Sequence, residues 1–376
     1  MELGSFHGLI NDADSHLMVR AREYPDILGE AGKILATRLG AGTPLAAFFD
    51  PEYGEQVTAT QENVWKVKGV VAPGAGDVEV RLRVLDIMGI RRQLIFPQVF
   101  VWMLISSHRE HSEEVVSRYN DFALQWTKDG GGRLRPAAIL DLRDIDAACK
   151  EAKRVISGGI RAVLIQDGVA PGGVSPADPS MDRFWATLAE AEVPALLHIG
   201  GGLGFMGSGA WGRTDLLSSG GFGIGEDVTP YVLATVHMSA ENYLQTLVLG
   251  GVFERHPTLR FGVIELGASW VGPMAERMDW IRDCGPSEAI RTQLSLRPSE
   301  YLRRNVRVTP FITEDIGLMV ERYGLGEVYV FSTDFPHPEG GRDPLDKMAS
   351  SVSRHGPEAV ERLLITNAEW LLPTPP

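Results

Sequence analysis

Cysteine is nearly absent: the chain has only two, Cys149 and Cys284. Each lies in its own helical pattern with no partner at metal-like spacing. That argues against a disulfide scaffold or a cysteine zinc site, and both thiols read as reduced, structural side chains. Long apolar runs are missing too, since no stretch approaches the ~18 residues of a membrane span. The first residues, Met1 to His7, lack the basic start and apolar core of a signal peptide, so a cytoplasmic location is the expectation. Positive charge is in deficit, with 36 Lys and Arg against 49 Asp and Glu and a formal net charge of −13. No basic cluster tracks a phosphate backbone, which argues against nucleic acid and anionic membrane as partners. The same acidity gives an anionic substrate no long-range steering, so a carboxylate ligand needs a local arginine or a metal.

The chain has 376 residues, 44% of them hydrophobic, enough for a large core. From about residue 77 it alternates helical periodicity with short apolar runs. Residues 77–88 carry apolar positions at Val78, Leu82, Val84, Leu85 and Met88 and stop at Gly89, the pattern of a helix with a C-cap glycine. Further helices are expected over 112–128, 144–157, 181–191 and near 242–249. Strands are expected at 8–11, 94–96, 136–140, 162–165, 195–198, 259–265, 306–309 and 328–331. Continuous apolar strands between helices indicate a parallel sheet covered by helices. Eight such units favour a closed (β/α)8 TIM barrel in a single domain over 1–376. The competing doubly wound sheet usually carries a phosphate loop in its first strand-to-helix turn. Here that turn reads Asp12-Ala13-Asp14-Ser15-His16. Residues 17–76, with Pro25, Pro44, Pro51 and Pro73 and a helix near 27–39, read as an insertion capping the barrel mouth. A long Gly-rich loop with Phe205, Met206 and Trp211 follows the fifth strand, over about 200–230. Together these two segments are expected to wall and lid a site for an apolar, aromatic-sized substrate.

Metal-binding side chains fall at the C-terminal ends of the strands, where such barrels place chemistry. Asp14 and His16 follow strand 1 two residues apart and point the same way in an extended segment. His198 ends strand 5, Glu265 ends strand 6, and Asp334 with His337 follows strand 8. Each has an ordinary reading alone: a turn Asp, a satisfied core histidine, a histidine that only holds a loop. Their convergence from three sides of one mouth suits Zn²⁺, Mn²⁺ or Fe²⁺ with positions open for water or substrate. His237, before the helix leading to strand 6, either lines the pocket or merely starts that helix. Arg20 and Arg213 are candidates to hold a substrate carboxylate bidentately, or are surface charges.

The ordered set Asp12-Ala13-Asp14-Ser15-His16, Leu197-His198-Ile199-Gly200, Gly251 to Pro257 running into Ile264 to Trp270, Ser332 to Gly340, and Asn367-Ala368 resembles the amidohydrolase superfamily. The likeness is to its amidohydrolase-related branch, which includes aminocarboxymuconate-semialdehyde and γ-resorcylate decarboxylases. The resemblance implies one divalent metal, Zn²⁺ first and Mn²⁺ as the alternative, held by Asp14, His16, His198 and Asp334. Two departures stand out. Asp14 replaces the first histidine of the usual pair, which hardens the site toward Mn²⁺. Glu265 stands where the decarboxylases carry a histidine, and is open as an acid or base with a burial-raised pKa, a further metal ligand, or a residue orienting His198. No lysine ends strand 4, so a two-metal site bridged by a carboxylated lysine is not expected.

The first functional expectation is a metal-dependent hydrolase of a C–N, C–O or activated C–C bond in a small cyclic or aromatic acid. Asp334 would take the proton of a metal-bound water, and Glu265 or His337 would protonate the leaving group. The alternative is a non-oxidative decarboxylase of an aromatic or muconate-like acid, and a third reading is a metal-free binding barrel. The expected partners are a small-molecule substrate and a second copy of the chain, a homodimer to which Trp270 and the C-terminal helices would lend apolar surface.

Overall fold

In the computed structural model, which describes residues 3–43, 45–51, 57–202, 204–219 and 229–373, every strand pairing is parallel. The first strand, Ile10–Asp12, pairs with the second, Ile90–Ile95, and that with Leu134–Pro136. The third barrel position continues after a break at Ala137 as Ala138–Ile139. There the ladder changes partner, Ala137 N–H donating to Ile95 O at 2.9 Å and Ala138 N–H to Ala162 O at 3.0 Å. Val163–Leu164, Ala195–His198, Phe261–Ile264 and Val306–Val308 follow in order. The last position, 328–331, is bridged to the seventh strand at Val308 and Tyr329. It closes the ring by hydrogen bonds, Val330 N–H to Val308 O at 3.0 Å and Ala13 N–H to Phe331 O at 3.0 Å. With the split third position taken as one strand and 328–331 as the last, the strands among the described residues number eight and the barrel is closed.

The strands are apolar because both faces are covered. Ala195, Leu196, Leu197, Phe261, Val263, Val328 and Val330 have no exposed surface, each larger side chain giving about 1.5–3 kcal/mol on burial. The outer helices follow local rules. Val78–Met88 starts at Asp77, whose carboxylate accepts from Val80 N–H at 2.7 Å, and ends at Gly89 in the left-handed region at φ 74°. Ile145–Ser157 is capped by Asp144 and buries Ala148, Ala152 and Val155. Cys149 is half-buried in that helix, whereas Cys284, at the end of Val271–Cys284, is exposed and so packs in no core.

Two departures from expectation have local causes. A helix at Val99–Ser107 was not expected, because Val99 to Ile105 is apolar throughout and shows no polar face. The helix expected near 27–39 is two helices, Tyr24–Leu28 and Glu30–Leu39, split at Gly29, whose φ is 65°. Described residues of the segment 17–76 contact the segments that follow the second and last strands. Phe49 meets Phe100 edge-on, Tyr24 bonds to Gln98, and Gly69 N–H donates to Pro336 O at 2.9 Å. Pro44 of that segment and 220–228 of the Gly-rich loop lie outside the described residues. Among the described residues no helix is long and apolar enough to cross a membrane.

Candidate metal and active site

Six side chains from four strand ends meet at the mouth. Asp14 and His16 point inward together, while Ser15 between them turns away to donate to Leu94 O at 2.7 Å. The His198 ring holds Ile199 O at 3.0 Å with Nδ1, which leaves Nε2 facing the cluster. Glu265 is fixed by its N–H donating to Thr309 Oγ1 at 2.7 Å, and Asp334 by its N–H donating to Asp14 O at 2.9 Å. His337 stacks on His16 with ring centroids 3.7 Å apart, and its Nδ1 lies 3.2 Å from Asp334 Oδ1.

The donor atoms crowd one small volume. His16 Nε2 lies 3.6 Å from Asp14 Oδ1, 3.4 Å from Glu265 Oε2 and 3.3 Å from Asp334 Oδ1. His198 Nε2 lies 3.5 Å from Asp14 Oδ1 and 3.1 Å from Glu265 Oε2. All five atoms are buried, and none makes a well-formed hydrogen bond. Two ligands about 2.1 Å from one ion stand about 3.0 Å apart at a right angle and about 3.4 Å apart at the tetrahedral angle. Three of the five separations fall within that spacing and the other two, 3.5 and 3.6 Å, lie just beyond it, and the set Asp14, His16, His198 and Glu265, like His16, Glu265, Asp334 and His337, could hold a metal ion.

The charges respond to one another. Burial pushes Asp14 up to about 6 against the pull of His198. Burial also works to raise Glu265, but His16 and His198 outweigh it and hold that carboxyl well below the usual range. The expectation of a burial-raised Glu265 is therefore corrected: two imidazoles from strands 1 and 5 face it. Burial opposes protonation of His198, yet Asp14 and Glu265 push that ring up to about 10. His16 is raised too, Asp334 and Glu265 overcoming burial and His337. Protons on these imidazoles occupy positions a dication would take.

A buried layer beneath the cluster was not anticipated. Asp12 accepts from Gln93 Nε2 at 2.7 Å, Thr333 Oγ1 at 2.6 Å and Thr333 N–H at 2.9 Å. Burial pushes Asp12 up to about 7 despite those donors. Arg81, with no exposed surface, donates to Gly74 O at 2.9 Å and to the His16 carbonyl, and lies 4.6 Å from the centre of the Phe335 ring. Strands 1, 2 and 8 are thus tied below the atoms they present. The available signal was an arginine amid the apolar positions of 78–88. Asp167, at the end of strand 4, is also buried. Its Oδ2 accepts from Ser239 Oγ at 2.8 Å, its Oδ1 has no hydrogen-bond partner, and burial pushes it up to about 6.

The remaining candidates stand apart from these contacts. His237 lies 3.8 Å from Glu241 and faces Trp270 with ring centroids 6.2 Å apart. The Arg20 guanidinium donates to Pro51 O at 3.3 Å, and Arg213 is exposed beyond the turn Gly209–Gly212.

A family model described as amidohydrolase matches residues 105–374. The chain is 26% identical over 293 residues to γ-resorcylate decarboxylase of Rhodococcus jostii, covering 70% of this chain and 82% of that one. Among solved structures it resembles an amidohydrolase from Mycobacterium avium subsp. paratuberculosis, with a TM-score of 0.72 and 21% identity over 97% of this chain and 99% of that one. It also resembles a dihydroxybenzoic acid decarboxylase from Polaromonas, solved with bound manganese and the inhibitor 2-nitroresorcinol, with a TM-score of 0.59 and 15% identity over 96% of each chain.

Proposed function

The chain belongs to the amidohydrolase family, and from that premise we propose that it is a divalent-metal-dependent, non-oxidative decarboxylase of a small aromatic acid. The observation that carries the reading is the buried convergence of imidazole nitrogens and carboxylate oxygens in a chain similar to γ-resorcylate decarboxylase. The hydrolase expectation has the weaker support, because the sequence relative and the manganese-bound structural relative are both named decarboxylases.

Asp14, His16, His198 and Asp334 would hold the ion, with Glu265 Oε2 as a further donor. The strong preference of Glu265 for its ionised form supports a ligand role over proton delivery. Carboxylate oxygens make a hard site, which together with the manganese-bound relative favours Mn²⁺ over Zn²⁺. When bound, the ion would supply positive charge that draws in the substrate carboxylate and stabilises negative charge developing beside it. Asp334, in contact with His337, would deliver a proton to the ring carbon bearing the carboxylate. The carbon–carbon bond then breaks with its electron pair returning to the ring, carbon dioxide leaves, and His337 restores the proton on Asp334. The segment 17–76 would cap the mouth, supported by its contacts at Gln98 and Pro336, and the loop after strand 5 would wall it. His237, Arg20 and Arg213 stay in the proposal as substrate contacts from these surroundings.

A homodimer and a cytoplasmic setting belong to the same proposal. Exposed Trp211 and Leu216, at 64% and 83%, support an interface on the excursion after strand 5. Trp270, offered for that contact by the sequence, is buried and donates to its own chain at Gly267 O, 2.9 Å away. Two unpaired cysteines accord with a reducing compartment.

The test is 2,6-dihydroxybenzoate given to the Mn²⁺-loaded chain in deuterated water, alongside metal content per chain. Carbon dioxide release with deuterium at the vacated ring carbon, and about one ion per chain, is the expected result. A panel of cyclic amides and esters in ¹⁸O-water that shows label in product without carbon dioxide would return the hydrolase reading. Failure to take up any metal would overturn both.

A further inference from the structure

A cleft of about 500 Å³ opens on the catalytic side of the barrel, between loops following the third, fourth and fifth strands. It abuts the strand 5 ligand through Gly201, whose N–H donates to His198 O at 3.0 Å. A side chain at Gly201 would meet Asp167 Oδ1 at 2.8 Å, so this wall stays bare. Leu142, Val169 and Pro171 form an apolar side, with Val169 64% exposed. The same cleft is lined by the polar side chains of Ser106, Arg109, Arg143 and Gln166.

Those polar side chains have more donors than acceptors. Asp141 is saturated by Arg143 Nε at 2.8 and 2.9 Å, by Arg143 Nη2, and by Ser112 Oγ at 2.8 Å. Arg143 Nη1 makes no hydrogen bond among the described residues, and Arg109 is exposed with neither a side-chain hydrogen bond nor an ion pair among them. Gln166 Nε2 donates to Ser106 Oγ at 2.9 Å, which leaves the serine proton and the second amide proton available. The Asp141–Arg143 pair is neutral overall, so Arg109, which makes no ion pair among the described residues, supplies the positive charge of these side chains. Donor-rich cationic side chains and apolar ones lining a single cleft are the complement of a carboxylate carried on a ring. They also meet the requirement that an acidic protein recognise an anion by local arginine.

We propose that this cleft is a second carboxylate-recognition site, distinct from the metal cluster. It holds the acidic group of an aromatic or cyclic acid at Arg109 and Arg143, with the ring against Leu142, Val169 and Pro171. That this ligand is substrate, carrying a second acidic group remote from the reacting one, rests on the decarboxylase reading. Its recognition by the cleft does not.

The experiment is calorimetric titration of isophthalate into the full chain freed of metal by chelation, with benzyl alcohol as the uncharged control. The metal-free chain binds isophthalate and not the alcohol. Arg109→Ala weakens binding about 10-fold or more, the loss of one charge-assisted hydrogen-bonding partner, and Arg109→Lys retains part of it. Arg109 lies exposed on a short surface helix, so circular dichroism of both variants should match the parent. Isophthalate that binds only after Mn²⁺ is restored, or that binds the parent and Arg109→Ala equally, overturns the proposal. If Arg109→Ala weakens binding while no acid is decarboxylated, the site stands and the decarboxylase reading falls.

Discussion

Replacing Asp167 with asparagine should stabilise the protein, and by more at alkaline pH than at acid pH. The carboxylate is 4% exposed, accepts one hydrogen bond from Ser239 Oγ at 2.8 Å, and leaves Oδ1 without a hydrogen-bond partner. Burial raises its pKa from 3.8 to about 6. The folded chain therefore holds this proton at pH values where the unfolded chain has released it. Such a group contributes fully below pH ~4, loses that contribution as pH rises through ~6, and is constant above. A displacement of about two pKa units corresponds to about 3 kcal/mol against folding at pH 8. At pH 5 only about half of that is in force.

The asparagine side chain keeps an acceptor for Ser239 but has no charge to desolvate, at the loss of about 1 kcal/mol of charge-assisted hydrogen bonding. The Asp167→Asn variant should gain about 2 kcal/mol over the parent at pH 8 and about 1 kcal/mol less than that at pH 5. Urea unfolding of both chains at the two pH values, without metal, measures the difference between them. Taking variant minus parent cancels the other carboxylates. An equal difference at both pH values would refute the reasoning, since it would mean that the folded carboxylate titrates like an exposed one. A loss of stability at pH 8 would mean that Oδ1 has a partner the geometry does not reveal.

Arg81→Met removes the cation that meets the His16 carbonyl and lies near Asp12. The chain should lose about 3–5 kcal/mol because Asp12 is left buried without it. Mn²⁺ affinity, read by calorimetry on folded protein, should fall about 10- to 100-fold as the strand 1 ligands loosen. Unchanged affinity would show that the ligands are held without Arg81. Gly340→Ala would place a methyl group 2.0 Å from Thr333 O and 3.1 Å from Asp334 Cβ, straining the turn that presents Asp334 and His337. About 3 kcal/mol should be lost, against less than ~0.5 kcal/mol for the control Gly4→Ala, where nothing lies within 4 Å. Thermal unfolding of both variants gives the comparison, and equal stability would show that the turn yields freely.

The clustering of these side chains was legible because a barrel makes their position a matter of order along the chain. Once apolar runs mark strands, the polar residue that ends each run lies at the mouth, and strand order makes Asp14 a neighbour of Asp334. What lay beyond reach depended on contacts between distant segments. Arg81 on a helix reads as a solvated charge until the turn at His16 is seen to cover it. The depressed proton affinity of Glu265 comes from rings on strands 1 and 5, not from its own surroundings in the chain. Trp270 reads as surface apolar area because its carbonyl partners at 266 and 267 are set by a turn.

The backbone separates the two carboxylates from the histidines in a way the sequence does not show. Among the described residues the non-glycine positions with positive φ are Glu192 at 53°, Glu265 at 56° and Asp334 at 50°. Such a conformation costs on the order of 1 kcal/mol for a residue with a side chain, more for Glu than for Asp. His198 supplies its nitrogen from a regular strand. Asp334 and Glu265 instead leave their strands through a left-handed turn, which brings a carboxylate oxygen to within 3.3 and 3.4 Å of His16 Nε2. A chain under selection for stability alone would place glycine or asparagine at 265. That a glutamate bears this strain, with its oxygen in the cluster and its proton driven off by two imidazoles, is the physical ground for treating it as part of the metal site rather than as a spare acid.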